Sequence, residues 1–168
     1  KLPKESPHVF ALYMQLLLTG HIPTKRHVPE NCAKQQELLC RLYVLAEKVQ
    51  DVNAKDKICD TILALFQKEN RKTLGEIYMP GPTAINIVYK NALEYSPGRL
   101  LLVDLYTLYA QNLGDITKNA VPKEFLFDLA RTLMQFRELP TDALPMNDPP
   151  FYHEDKFEKL KQSQGSYA

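Results

Sequence analysis

The chain has no tryptophan, and only six glycines among its 168 residues. Gly75, Gly81 and Gly98 form neither GxGxxG nor GxxxxGK[ST], so no glycine-loop phosphate cradle is encoded. Cysteine is sparse and odd in number: Cys32, Cys40 and Cys59, irregularly spaced, are a poor disulfide framework. A reducing, intracellular compartment, cytoplasm or nucleus, is therefore expected. Neither charge sign dominates, with 21 Lys and Arg against 20 Asp and Glu, so nothing favours a nucleic-acid partner. There is no run of about 18 apolar residues, and no membrane span is expected. The basic start is not followed by an apolar segment and a small-residue cleavage site, so no signal peptide is read there. A first residue of Lys1 rather than Met suggests a fragment or a processed product.

What is abundant is helical pattern. Hydrophobic residues make up 45% of the chain, and the length suits one domain with its own core. The first helix is expected over 7–19. Ser6 is its capping candidate, Pro7 suits the first helical position, and Gly20 can take the left-handed geometry that ends a helix. A polar loop over 21–34 follows, with Pro23 and Pro29 read as breakers. The second helix is expected over 35–50, because Leu38, Leu42, Leu45 and Val49 recur at one-face spacing. The third is expected over 53–70 with Ile58, Ile62, Leu65 and Phe66 on its stripe, and the Asp51–Val52 junction makes these two neighbours.

Residues 71–81 read as irregular, with a short extended piece at Ile77-Tyr78-Met79. Pro82 opens a fourth helix that buries Ile85, Val88 and Tyr89. Ser96-Pro97-Gly98 is a turn signal. The fifth helix, over 99–112, is apolar nearly all round and is expected to be central. The sixth, over 122–138, presents Phe125, Leu126, Leu129, Leu133 and Phe136. The expected fold class is all-α: a six-helix bundle over 1–139, followed by a Pro-rich extended tail over 140–168 with a short helix at 154–162. Leu45 and Leu105 are expected in the core.

Catalytic grammar is missing. The four histidines, His8, His21, His27 and His153, include no pair at metal-site spacing and no HExxH. His21 and His27 share a loop with Cys32, but without CxxC or HxxxH spacing they read as a solvated loop. His153-Glu154-Asp155 are contiguous, and on one extended segment cannot all face one ion. GxSxG is absent. Cys40 and Cys59 sit in apolar helices, where burial raises a thiol pKa and makes it inert. No catalytic residue, metal site or cofactor is therefore assigned. Asp104, between Val103 and Leu105, is the one unusual carboxylate, because burial there would require a partner such as Arg99 or Arg131. The helical tyrosines Tyr43, Tyr89, Tyr95, Tyr106 and Tyr109 suit half-buried positions, at the edge of the core or, as the less common alternative, at an interface.

Several segments together resemble a known family. Pro7-His8-Val9-Phe10 leading through Tyr13 and Gln15 to Leu18-Thr19-Gly20 resembles the mid-domain helix of fungal BTB/POZ proteins, with Leu18 in place of the usual aromatic. Leu39-Cys40-Arg41-Leu42-Tyr43-Val44-Leu45-Ala46-Glu47-Lys48 is similar to the next helix of that family, and Lys57-Ile58-Cys59-Asp60-Thr61-Ile62 to the one after it. Leu100-Leu101-Leu102-Val103-Asp104-Leu105-Tyr106 and Glu124-Phe125-Leu126-Phe127-Asp128-Leu129-Ala130 resemble the C-terminal helical extension of many fungal members. The likeness spans about residues 3–138, and the family's N-terminal half of strands and two helices has no counterpart in this sequence.

The resemblance implies a non-enzymatic protein–protein interaction module, an adaptor or scaffold. Its partner would be another protein: a second copy or a different chain, including a cullin-type ligase component. The partner-binding candidates are Phe10, Tyr13, Leu17, His21 and Arg26, on the first helix and the loop after it. Two alternatives stay open. One is a helical small-ligand-binding protein or enzyme with a pocket around Asp104. The other is a regulatory or effector-like fragment.

Overall fold

The computed structural model describes residues 6–23, 29–72, 79–110, 113, 116 and 120–136; for 29–32 and 66–72 only the helical backbone is described. The fold is all-α: six helices, with no strand among the described residues. They are α1 (Pro7–Thr19), α2 (Pro29–Lys48), α3 (Val52–Lys72), α4 (Pro82–Asn91), α5 (Pro97–Tyr109) and α6 (Lys123–Phe136). Residues 1–135 form one compact unit. The tail over 140–168, its expected helix at 154–162, and Ile77 and Tyr78 lie outside the described residues.

The ends of α1 follow the sequence. Pro7 occupies the first turn, and Gly20 ends the helix at φ 67°, its N–H donating to the Leu16 carbonyl at 2.8 Å. Ser6 differs from expectation: its hydroxyl makes no capping bond, and only its carbonyl serves the helix by accepting the Phe10 N–H. Proline explains two shifted boundaries. Pro29 begins α2 and Pro97 begins α5, because a first-turn residue needs no N–H acceptor and the fixed φ of proline is already helical.

The central helix is α2, which packs against α1, α3 and α4. Between Leu39 and Ala46 only Arg41 is exposed. The expected central position of α5 is therefore corrected. It packs on α3 and α4, burying Leu102, Val103, Leu105 and Tyr106, while Leu100, Asp104, Leu108 and Tyr109 face out. Leu45 and Leu105 are buried as expected; Val49, Leu133 and Phe136 are exposed and lie off the core faces assigned to them.

Three tyrosines are interior ties rather than core-edge residues. Tyr43, Tyr89 and Tyr106 are all buried. The Tyr43 hydroxyl accepts the Gly98 N–H at 3.0 Å. Tyr89 donates to the Asp128 carboxylate at 3.0 Å, and Tyr106 donates to the Pro80 carbonyl at 2.7 Å. Each satisfies a polar group that would otherwise be costly to bury. Tyr95 and Tyr109 are exposed.

Asp51 organises the corner between α2 and α3. Its Oδ1 accepts the Ala54 N–H at 2.9 Å, capping α3, and its Oδ2 accepts the Tyr13 hydroxyl at 2.9 Å. One carboxylate thus starts α3 and pins α1 against the α2–α3 corner. A nearly buried ion pair, Lys55 Nζ to Glu47 Oε2 at 2.8 Å, joins α2 and α3 beside it. Asp51→Ala is expected to cost about 2 kcal/mol in urea unfolding, since it removes a cap and a charge-assisted bond together. Tyr13→Phe should lose only the second part.

Candidate interaction surface

The inner face of α1 is Val9, Leu12 and Leu16, all buried against the bundle. Its outer face carries a second apolar stripe. Phe10 is 41% exposed, Met14 39%, Leu17 52% and Leu18 80%. These positions step by four, three and one, so they lie along one side of the helix. From Pro7 to Thr19 there is no Lys, Arg, Asp or Glu, so the stripe is an uncharged surface.

Of the five expected partner-binding residues, the structure brings Phe10 and Leu17 together on this stripe. Tyr13 is instead half-buried and committed to Asp51; burial and then the neighbouring carboxylate push its hydroxyl pKa up. His21 is exposed just past the C-cap, its N–H donating to the Thr19 hydroxyl at 3.2 Å. Arg26 lies outside the described residues. Met14 and Leu18 were missed, although both sit four-residue steps from Phe10.

A cavity flanks α1 on each side. One, of about 390 Å³, lies between the end of α1 and α3; His21, Lys57 and Asp60 line it, and among the described residues no hydrogen bond joins them. The other, of about 380 Å³, lies between α1 and α2 and is lined by His8, Leu12, Gln15, Lys34 and Leu38 among others.

The residues with expected chemistry do not converge. Asp104 is exposed on α5 and lines none of the cavities described here. Neither suggested partner reaches it. Arg99 donates to the Tyr89 and Ala92 carbonyls at 2.6 and 2.7 Å, and Arg131 pairs with Asp128 at 3.0 Å. An outward carboxylate on a half-exposed helix needs no partner, because water solvates it. Burial pushes the Cys40 thiol up to about 12 and the Cys59 thiol up to about 11, so both stay protonated at neutral pH. Among the described residues no cluster of His, Cys, Asp and Glu could hold a metal ion. His27, His153 and the side chain of Cys32 lie outside them. No helix among the described residues is long and apolar enough to cross a membrane.

Compared with known protein families, characterised proteins and solved structures, the chain matches none.

Proposed function

We propose that the chain is a non-enzymatic interaction module of BTB/POZ type, which docks an apolar surface of a partner protein on the outer face of α1. The observation that carries this reading is the uncharged stripe Phe10, Met14, Leu17 and Leu18, exposed on a helix whose opposite face already fills the core. Isolated exposed leucines are ordinary, but a contiguous apolar stripe on a helix without charges is the pattern of a docking face. The complementary surface is apolar rather than charged, because α1 offers no ion-pair partner. The resemblance adds an adaptor or scaffold role within the cell, with a cullin-type ligase component among the partners of that kind of domain. Its quoted segments fall on α1 with its C-cap Gly20, and within α2, α3, α5 and α6.

Phe10→Glu combined with Leu17→Glu tests the placement. Both side chains are exposed, so the unfolding free energy should move by no more than about 0.5 kcal/mol per site. Partners held by the wild-type protein should be lost, and a recovered partner, purified, should bind the double variant at least about tenfold more weakly. Light scattering separates the occupants: a wild-type dimer that the variant dissolves would make the partner a second copy. A folded variant that keeps its purified partner at unchanged affinity would overturn the reading.

A further inference from the structure

We propose that the cleft between α4 and the start of α6 binds a phosphate group. No residue of α1 lines this cleft, so the site is separate from the docking face above. The cavity, of about 580 Å³, falls in the size range of small-ligand sites. Its walls bring together Lys90 of α4, Arg99 of α5 and Lys123 of α6, with Glu124 the only carboxylate among its lining residues. The cleft therefore holds two positive charges in excess, whereas the whole chain carries a formal charge of +1. Two excess charges match a phosphate dianion better than a single carboxylate.

Stability of the fold accounts for some of these cations and not for others. Lys90 lies in the last turn of α4, where a cation offsets the helix dipole. Arg99 spends Nη2 on the carbonyls of Tyr89 and Ala92 and lies over the Tyr89 ring at 4.7 Å. Its Nε, however, is sealed from solvent and has no acceptor. Lys123 is the first residue of α6, where a positive charge opposes the dipole. Among the described residues neither Lys90 nor Lys123 has a carboxylate within ion-pair distance. A bound dianion would relieve the repulsion among the three cations and the misplacement of Lys123.

The walls are also fixed in advance. The Asn86 amide donates to the carbonyls of Pro82 and Ala120, tying the entry of α6 to α4, and Tyr89 is held by Asp128. A pre-formed cleft loses little ordering entropy on binding. The recognition is by side chains and needs no glycine loop, which is why motif spacing does not reveal it.

The test titrates inorganic phosphate and a short phosphoserine peptide in parallel at constant ionic strength, following backbone amide NMR shifts. Saturable shifts are expected at Lys90, Lys123 and Glu124. The double variant Lys90→Gln/Lys123→Gln should bind at least about tenfold more weakly. Both side chains are exposed, so its thermal midpoint should hold. Lys90→Arg/Lys123→Arg, which keeps the charge, should retain binding. Tighter binding of the free ion would point to a small phosphate ligand, and tighter binding of the peptide to a phosphorylated chain. Absence of saturable shifts with either probe, or shifts that survive charge neutralisation unchanged, would overturn the proposal.

Discussion

Phe125→Ala is expected to lower the unfolding free energy by about 3–5 kcal/mol, in the range for truncating a buried phenylalanine. Phe125 has no solvent exposure. It sits edge-on to two tyrosine rings, Tyr89 and Tyr106, each with its centroid 5.4 Å away and with interplanar angles of 83° and 80°. Aromatic pairs in this geometry add to simple area burial. The surroundings also resist collapse into the space left behind. The Tyr89 hydroxyl is held by Asp128 and the Tyr106 hydroxyl by the Pro80 carbonyl, so neither ring can swing inward without breaking a hydrogen bond. A cavity that cannot close places the loss toward the upper end of the range. Phe125→Leu keeps most of the volume and should cost about 1 kcal/mol. Urea unfolding followed by circular dichroism reads both, and a loss below about 1 kcal/mol for the alanine variant would show that Phe125 does not anchor α6.

The tyrosine partners show where legibility in the sequence ends. That six helices form, and roughly where, is written in local pattern: apolar spacing, Pro7 and Pro82 in first turns, Gly20 at a C-cap. The N-cap at Asp51 has a local signal too, an acidic residue directly before the Val52 start of α3, which a plain junction does not convey. The second bond of Asp51, to Tyr13 38 residues earlier, has none. The ties from Tyr43 to Gly98 and from Tyr89 to Asp128 span 55 and 39 residues, and no local pattern announces which hydroxyl meets which group. Burial order departs from the apolar pattern for a related reason. α5 is the more apolar helix, yet α2 is the one surrounded. Composition records how much apolar surface a helix carries, while centrality depends on how many neighbours it meets. The exposed stripe of α1 is half legible: Phe10 and Leu17 stand out as side chains in need of a surface, whereas Met14 and Leu18 emerge only once the helix is seen to carry two apolar faces.

Gly98→Ala is expected to cost about 2 kcal/mol, the second large effect and one opposite in sign to what helix propensity suggests. Gly98 lies inside the first turn of α5, not in the turn that Ser96-Pro97-Gly98 predicts. Alanine is the better helix former by up to about 1 kcal/mol, and less in a first turn, so propensity alone favours the substitution. Packing decides otherwise. A Cβ on Gly98 would sit 2.6 Å from Tyr43 Cε1 and 2.7 Å from Cζ, well inside van der Waals contact. The ring has nowhere to retreat: Tyr43 is 1% exposed on the central helix, and its hydroxyl is fixed by the Gly98 N–H itself. Any shift that relieves the contact also lengthens that bond and leaves a buried donor unpaired. A double-mutant cycle isolates the cause. In a Tyr43→Leu background, where the ring atoms are gone, Gly98→Ala should be close to neutral, giving a coupling of about 2 kcal/mol between two residues in direct contact. Equal losses in both backgrounds would place the strain in the α5 backbone rather than against the Tyr43 ring.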